Sequence, residues 1–166
     1  MFRSIAIRRA ESAADFALAR QLFREYAQAL GVDLCFQGFD AELQALESMY
    51  GPPAGCLLLA GDAAGCVAVR DLGDGVCEMK RLYVRPAGRG SGLGRALAEQ
   101  ALAFARTAGY RRVVLDTLPD MAVAQGLYRD LGFSAGPAYY SNPLPGVIYL
   151  TLNLDSIRIE PRHGSR

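Results

Sequence analysis

A glycine-rich stretch, Arg-Gly-Ser-Gly-Leu-Gly at residues 89–94, constrains the fold more than any other feature of the chain. It follows an apolar run closed by Arg85-Pro86, and it leads into helical spacing of apolar residues from Arg95 to Ala108. Glycine permits positive φ and close approach of a ligand to the backbone. The first turn of a helix carries unpaired N–H groups and a partial positive charge. This order of strand, glycine turn and helix therefore predicts a cradle for a phosphate group.

The spacing of the glycines decides which phosphate loop the stretch can be. A dinucleotide fingerprint, G-x-G-x-x-G, fails at Leu93 when counted from Gly88, and at Arg95 when counted from Gly90. A Walker loop ends in Gly-Lys-Ser/Thr, a tripeptide that the sequence does not contain. The pattern that fits is R-x-x-G-x-G.

A second segment strengthens the interpretation of the first. Residues Ala124 to Phe133 read A-x-x-L-Y-x-x-L-G-F, and they follow a predicted buried strand ending at Thr117. Together with Tyr83–Pro86 and Arg89–Gly94, this segment resembles the signature of the GNAT superfamily of acetyl-CoA-dependent N-acetyltransferases. One departure is Met121, where many members carry Asn; the change removes a polar contact to the pantetheine arm or phosphates.

The resemblance implies acetyl-CoA as the cofactor, with its pyrophosphate on the backbone amides of the glycine loop. It also implies that the strand before the loop holds the thioester carbonyl and the pantetheine amides through backbone N–H groups. The cofactor-binding residues expected on this basis are Leu82, Tyr83, Val84, Arg89, Gly90, Ser91, Gly92, Leu93, Gly94, Arg95 and Ala124.

Tyr128 has two interpretations. It can be an aromatic packing residue on a short helix, whose hydroxyl finds a hydrogen-bond partner. In the family that the sequence resembles, the matching tyrosine lies near the cofactor sulfur and protonates the leaving thiolate. A phenol, with a pKa near ~10, is a competent acid toward a thiolate of similar basicity.

Glu78 lies in the strand before the loop and also has two interpretations. In the histone-acetylating branch of the family, a glutamate at this offset is the general base, which a protonated amine requires before attack. The alternative is a surface ion pair with Lys80 or Arg81. Strand alternation places Glu78, Lys80, Leu82 and Val84 on one face, apart from any bulge, and a bulge near Leu82 would splay the strands, as it does in relatives.

The acceptor pocket is expected where relatives build it, between their last two strands. The sequence there is Tyr-Tyr-Ser-Asn-Pro at residues 139–143, which is polar, aromatic and rigid. Aromatic and acidic residues around a pocket would suit a small cationic amine, while Tyr140 can equally be a packing residue at a strand edge. The substrate-binding candidates are Tyr26, Asp33, Phe36, Tyr139 and Asn142.

The order of apolar patterns predicts β-α-α-β-β-β-α-β-α-β-β. The second helix is expected from Phe39 to Met49, and the strand that enters the glycine loop from Val76 to Val84. The fold class is therefore α/β (α+β), with a mixed, mostly antiparallel sheet, a central β-α-β cofactor unit and helices on both faces. We expect one acetyltransferase domain over residues 1–155 and a flexible tail over residues 156–166.

Composition narrows the class of protein further. The chain has 166 residues, 51% of them hydrophobic, which suits one domain with a core, and its formal net charge of +1 shows no basic stripe for nucleic acid. No apolar run reaches the ~20 residues of a membrane span, and Met1–Ser4 lacks the apolar core of a signal peptide. We therefore expect a cytoplasmic protein without nucleic-acid or membrane partners; a homodimer stays open.

The cysteines and the histidine give no metal pattern. Cys35, Cys56, Cys66 and Cys77 show no C-x-x-C spacing, and the single histidine, His163, lies in the tail. Three of the cysteines fall in apolar runs and are expected to be buried free thiols.

The function expected from these observations is transfer of an acetyl group from acetyl-CoA to a small-molecule amine or a peptide N-terminus. The amine would attack the thioester directly, because no Cys or Ser has a partner set for an acyl-enzyme. Two alternatives stay open at this point, a non-catalytic acyl-CoA-binding or sensing module of the same fold and a purely structural partner domain.

Overall fold

The computed structural model describes residues 5–154, apart from the side chain of Phe36. The predicted tail over residues 156–166, with His163, lies outside the described residues. The strands are β1 (Ile7–Arg9), β2 (Cys56–Ala60), β3 (Gly65–Gly73), β4 (Val76–Val84), β5 (Arg112–Thr117), β6 (Ser134–Ala135) and β7 (Ile148–Asn153). The helices are α1 (Ala13–Leu30), α2 (Phe39–Gln44), α3 (Leu46–Met49), α4 (Leu93–Thr107) and α5 (Ala122–Asp130), with short 3-10 turns at Cys35–Gln37 and Pro86–Gly88.

The seven strands form one sheet in the order β1-β2-β3-β4-β5-β7-β6. Every neighbouring pair is antiparallel except β4 and β5, which α4 connects as a parallel crossover. This arrangement confirms the predicted mixed, mostly antiparallel sheet with a central β-α-β unit.

Each face of the sheet is covered by its own hydrophobic core, as predicted. On one face Leu58 and Val67 pack with Leu97 of α4, and on the other Leu57 packs with Phe23 of α1. The alternation follows from the strand period of two, which sends successive side chains to opposite faces. Three cysteines are buried in these cores and Cys35 is exposed, so the expected buried thiols are confirmed.

The first helix begins and ends where its sequence signals predict. Ser12 and Asp15 form a complete capping box at the start of α1, and Gly31 ends it in the left-handed conformation at φ +64. The second predicted helix, from Phe39 to Met49, is interrupted. Ala45, at φ −117, lies outside helical geometry and divides this segment into α2 and α3.

A bulge in β4 confirms one prediction and corrects another. Cys66 pairs with Tyr83 but Ala68 pairs with Lys80, so two β4 residues oppose Val67 alone. Such an insertion bends a strand and shifts which face its side chains occupy. The predicted common face of Glu78, Lys80, Leu82 and Val84 is therefore wrong for its last two members. They pack with the α4 core, whereas Lys80 lies beside Glu42 of α2.

The bulge also ends the pairing of β4 with β5. Their last registered pair is Glu78 with Val114, and beyond it the two strands stop pairing. Residues 79–82 of β4 and 116–118 beside them line a cleft between the strands. The catalytic candidate Glu78 thus lies at the point where the sheet splits.

Candidate active site

An open cleft of about 870 Å³ runs from the split in the sheet along the glycine loop to the start of α5. This volume is within the ~300–1,000 Å³ usual for small-molecule sites. All of the predicted cofactor residues except Ser91 line the cleft, namely Leu82, Tyr83, Val84, Arg89, Gly90, Gly92, Leu93, Gly94, Arg95 and Ala124. Ser91 instead donates a hydrogen bond from its hydroxyl to the carbonyl oxygen of Gly88, at 2.5 Å.

Two positions of the loop favour glycine because of their backbone conformation and not because a side chain would lack space. Gly90 and Gly92 have φ of +81 and +79, and a Cβ at either position would meet nothing within 4 Å. Positive φ is strained for residues with a Cβ. Gly92 is the N-cap of α4, and no side chain among the described residues caps that helix end. The first N–H groups of α4 are therefore available to a ligand.

Two arginines give the cleft a positive wall. Arg89 donates from Nε to the carbonyl oxygen of Val84 at 3.1 Å, which holds the start of the loop against β4. Arg95, in the first turn of α4, pairs with Glu99 at 2.9 Å on the helix surface. Guanidinium groups and an uncapped helix N-terminus together favour a phosphorylated ligand. These features fit the pyrophosphate of coenzyme A.

Met121, at the position where many relatives carry Asn, lines this cleft as well. Its sulfur lies 3.8 Å from the Thr117 hydroxyl. A thioether is a weak acceptor, so this side of the cleft offers apolar contact where an amide would hydrogen-bond.

Tyr128 lies on α5 and is buried, with its side chain at the smaller cleft between β4 and β5. Its ring packs edge-on against Phe133 at 5.8 Å between centroids. Among the described residues its hydroxyl takes part in no hydrogen bond, so it is not committed to a structural partner. Burial, together with the nearby charges of Tyr26 and Asp116, raises the pKa of this phenol above its ordinary value. It therefore stays protonated at neutral pH.

Glu78 is buried, with 3% of its surface exposed, and both of its carboxylate oxygens accept hydrogen bonds. Oε1 accepts from Arg70 Nε at 2.7 Å, and Oε2 accepts from the Tyr139 hydroxyl at 2.6 Å. Lys80 Nζ lies 3.7 Å from Oε1. The ion pair of Glu78 with Lys80, one of the two pairs predicted as the alternative, is therefore present, but it is buried rather than at the surface.

Arg81 does not pair with Glu78 but with Glu42 of α2. Its Nε and Nη2 donate to the two oxygens of Glu42 at 3.0 and 2.8 Å, and its guanidinium lies 5.2 Å from the Phe39 ring centroid. Arg81 has φ +60, an unusual conformation for a residue with a Cβ. Since Arg81 is at the bulge, this buried pair holds β4 in the conformation that splits the sheet.

Asp116 is a polar residue of the cleft that the sequence analysis did not single out. It accepts hydrogen bonds from the Tyr140 hydroxyl and, at 2.9 Å, from Asn142 Nδ2. Gln37 Nε2 donates to the same Tyr140 hydroxyl at 2.8 Å. Asp116 was missed because it follows a continuous apolar run that predicts only a buried strand. The available signal was an acid in an otherwise apolar strand.

The substrate-binding candidates fall into different places. Tyr26 lines both clefts and Asn142 lines the smaller one, whereas Tyr139 reaches the site through its bond to Glu78. Asp33 is exposed, accepts from the backbone N–H of Cys35 at 2.9 Å and lines neither cleft. The side chain of Phe36 is outside the described part of the structure.

Comparison with known proteins gives the class to which this site belongs. Residues 17–133 match the model of the Acetyltransferase (GNAT) family. An uncharacterised N-acetyltransferase of Schizosaccharomyces pombe is 45% identical over 140 residues, which are 81% of this chain and 86% of that protein. The chain therefore belongs to the GNAT family of acetyltransferases, and it is an acyltransferase of that class.

Solved structures share the fold. An acetyltransferase from Streptococcus agalactiae superposes with a TM-score of 0.75 at 22% identity, covering 92% of this chain and 100% of that one. A putative acetyltransferase from Salmonella typhimurium, solved with its cofactor acetyl-CoA, has a TM-score of 0.64 at 21% identity and covers 96% and 99%. In the described residues, no helix is both long and apolar enough to cross a membrane.

Proposed function

We propose that this protein transfers the acetyl group of acetyl-CoA to a primary amine by direct attack of the amine on the thioester. The observation that carries the proposal is the continuity of the two clefts. Tyr26, Leu82 and Met121 line both, so the phosphate-binding loop and the Tyr128 phenol open onto one connected space. A donor bound along the loop would therefore present its reactive end to the split in the sheet.

Acetyl-CoA, when bound, supplies an acetyl thioester as the donor. The backbone amides of residues 90–94 and the guanidinium groups of Arg89 and Arg95 would hold its pyrophosphate. The backbone N–H of Leu82, at the bulge, would hold the acetyl carbonyl and stabilise the negative charge that develops on its oxygen.

The reaction needs protons to move in two directions. The acceptor ammonium loses one proton to a base and becomes a nucleophile. The new N–C bond then forms as the C–S bond breaks, and Tyr128 donates a proton to the departing thiolate. The second proton lost by the nitrogen returns through water to the Tyr128 phenolate, which restores the phenol. Glu78 is the proposed base, and it acts through its hydrogen-bonded partner Tyr139 or through water, because both of its oxygens already accept hydrogen bonds.

A screen of primary amines by thiol release, with product identification by mass, tests this function. We expect an amine-dependent release of free coenzyme A together with an amide carrying the acetyl group on nitrogen. Thermal stabilisation by acetyl-CoA without acetylation of any amine would contradict the proposal and favour a sensing module.

A further inference from the structure

Five charged side chains form one network beside the smaller cleft, and their charges do not balance. Arg81 donates two hydrogen bonds to Glu42, at 3.0 and 2.8 Å, and Arg70 donates one to Glu78 at 2.7 Å. Lys80 Nζ has only longer contacts, 3.4 Å to Glu42 and 3.7 Å to Glu78. Two carboxylates are thus shared among three cations, and Lys80 is the least satisfied of them.

Lys80 is placed where a bound anion would reach it. Its side chain is 9% exposed and lines the smaller cleft between β4 and β5. It is also the single lysine of the whole sequence. A cation buried without a matching anion is costly, and burial accordingly lowers the pKa of this amine. An anionic group of a ligand would remove that cost.

On the β5 side of the same cleft, a negative charge lacks a matching cation among the described residues. Asp116 is held by two neutral donors, Tyr140 and Asn142, and within the described residues no cation lies within 4 Å of it. Because the Tyr140 proton goes to Asp116, Tyr140 accepts from Gln37 Nε2, and the buried Gln37 Oε1 then has no hydrogen-bond partner in the part of the chain that the structure describes. Neutral donors orient the carboxylate but leave its charge uncompensated, so this side favours an ammonium group.

We propose that the acceptor is a small zwitterion, an amino acid or another aminocarboxylate, whose ammonium pairs with Asp116 and whose carboxylate pairs with Lys80. The inference rests on the proposed acetyl transfer and narrows its acceptor class. Lys80, Asp116 and Tyr128 all line this cleft, and of the two charged groups it is Asp116 whose charge acts on the Tyr128 phenol. The ammonium end is therefore assigned to the side of the acid that serves the thiolate. The carboxylate end is held by β4, on the other side of the split.

Matched pairs of acceptors test the inference on the unmodified protein. Glycine, β-alanine and γ-aminobutyrate are compared with ethylamine, propylamine and butylamine, in which a methyl group replaces the carboxylate; α-amino acids are compared with their methyl esters. We expect kcat/KM to be at least about tenfold higher for the best zwitterion than for its uncharged-tail partner, since a charged hydrogen bond is worth a factor of this order. Equal kcat/KM values for each zwitterion and its uncharged-tail partner would overturn the inference of a zwitterionic acceptor and leave the proposed acetyl transfer intact. If no amine in either set is acetylated, both the inference and the proposed transfer are overturned.

The variant Lys80→Met separates recognition from structure. We expect it to abolish the preference for the zwitterion through a higher KM for the zwitterion, and not to lower the melting temperature. Because Lys80 also lies 3.7 Å from Glu78, the readout is the ratio of kcat/KM between each zwitterion and its plain amine, not either rate alone. Arg8→Met, which removes an exposed ion pair with Asp15, is the control and should keep the preference. A loss of rate shared equally by both kinds of acceptor, with a lower melting temperature, would make Lys80 structural and overturn the assignment.

Discussion

Burial decides the protonation state of Tyr128. Its pKa is raised because the phenolate would lose solvation in the interior, so the hydroxyl stays protonated in the resting protein. A raised pKa alone makes the phenol a weaker acid. In the proposed reaction this is offset because the leaving thiolate forms in the same buried cleft, where lost solvation makes it more basic as well.

Replacing Tyr128 with Phe keeps the ring packed against Phe133 and deletes the acid. We expect kcat to fall by about tenfold to a thousandfold, with acetyl-CoA affinity and melting temperature nearly kept. Steady-state kinetics and a thermal shift titration measure these effects. Unchanged turnover would reduce Tyr128 to a packing residue.

Asp116 lines the smaller cleft, whereas Glu78 is buried and reaches the site through Tyr139, and the roles of these two carboxylates can be distinguished by pH dependence. If Glu78 accepts the proton, Glu78→Gln removes the acidic limb from the profile of kcat/KM against pH. Asp116→Asn is the companion variant, and we expect it to raise KM while keeping that limb, since the proposed role of Asp116 is to bind the ammonium group. A limb that persists in Glu78→Gln and disappears in Asp116→Asn would move the role of base to Asp116.

At the scale of elements, the glycine loop works through conformations that other residues rarely adopt. We expect Gly92→Asp to abolish the rise in melting temperature that acetyl-CoA causes, because it adds a negative charge at the uncapped start of α4 and strains a residue at φ +79. Gly73→Asp is the matched control, with φ +89 at the end of β3 and away from the cleft. It should cost about 1–2 kcal/mol of stability from strain and leave the acetyl-CoA effect intact. Equal ligand effects in the two variants would exclude the loop from the site.

The bulge in β4 depends on the buried pair of Glu42 with Arg81, and this makes it sensitive to acid. Burial raises the pKa of Glu42, but the hydrogen bonds and charge of Arg81 outweigh burial, so the folded value is below the ordinary one. A lowered folded pKa adds stability that is present above the unfolded value of ~4.3 and is lost as pH falls through the folded value.

Urea unfolding of wild type and Glu42→Gln across acidic pH tests this dependence. At neutral pH the variant should lose about 3–5 kcal/mol, since Arg81 is left buried without its anion. Its free energy of unfolding should also fall less steeply in acid than that of wild type. Glu47→Gln, which removes an exposed pair with Arg20, should change little. Parallel pH profiles for wild type and Glu42→Gln would contradict the role of the pair.

Across the whole molecule, the sequence predicts the residues of the glycine-loop cleft better than those of the smaller cleft beside it. The glycine loop is a local device: backbone conformation at a few consecutive residues determines it, and glycine spacing reports that directly. The network around Lys80 depends on Glu42 of α2, which is far in the sequence from Arg70 of β3 and from Glu78 and Lys80 of β4. No local pattern encodes such contacts.

The wrong prediction that Leu82 and Val84 share a face of the sheet with Glu78 and Lys80 has the same physical origin. Alternation holds only while pairing is regular, and here a non-glycine residue, Arg81, takes up positive φ because a distant glutamate holds its side chain. The resemblance to the family predicts a bulge near Leu82. The face of the sheet that Leu82 and Val84 occupy, however, follows only from the pairing of β3 with β4 in the structure. Asp116 was missed because its function depends on Tyr140 and Asn142 reaching it from another loop.

In the proposed reaction, the acetyl group passes from acetyl-CoA to the amine without forming a bond to the protein. A single-turnover reaction with an isotopically labelled acetyl group, followed by mass analysis of both the protein and the acceptor, tests this directly. We expect an unmodified protein at every time point and the label on the acceptor nitrogen, with formation of the amide slowed in Tyr128→Phe. A protein that gains the labelled acetyl group before the amine is added, and then passes it on, would contradict direct attack.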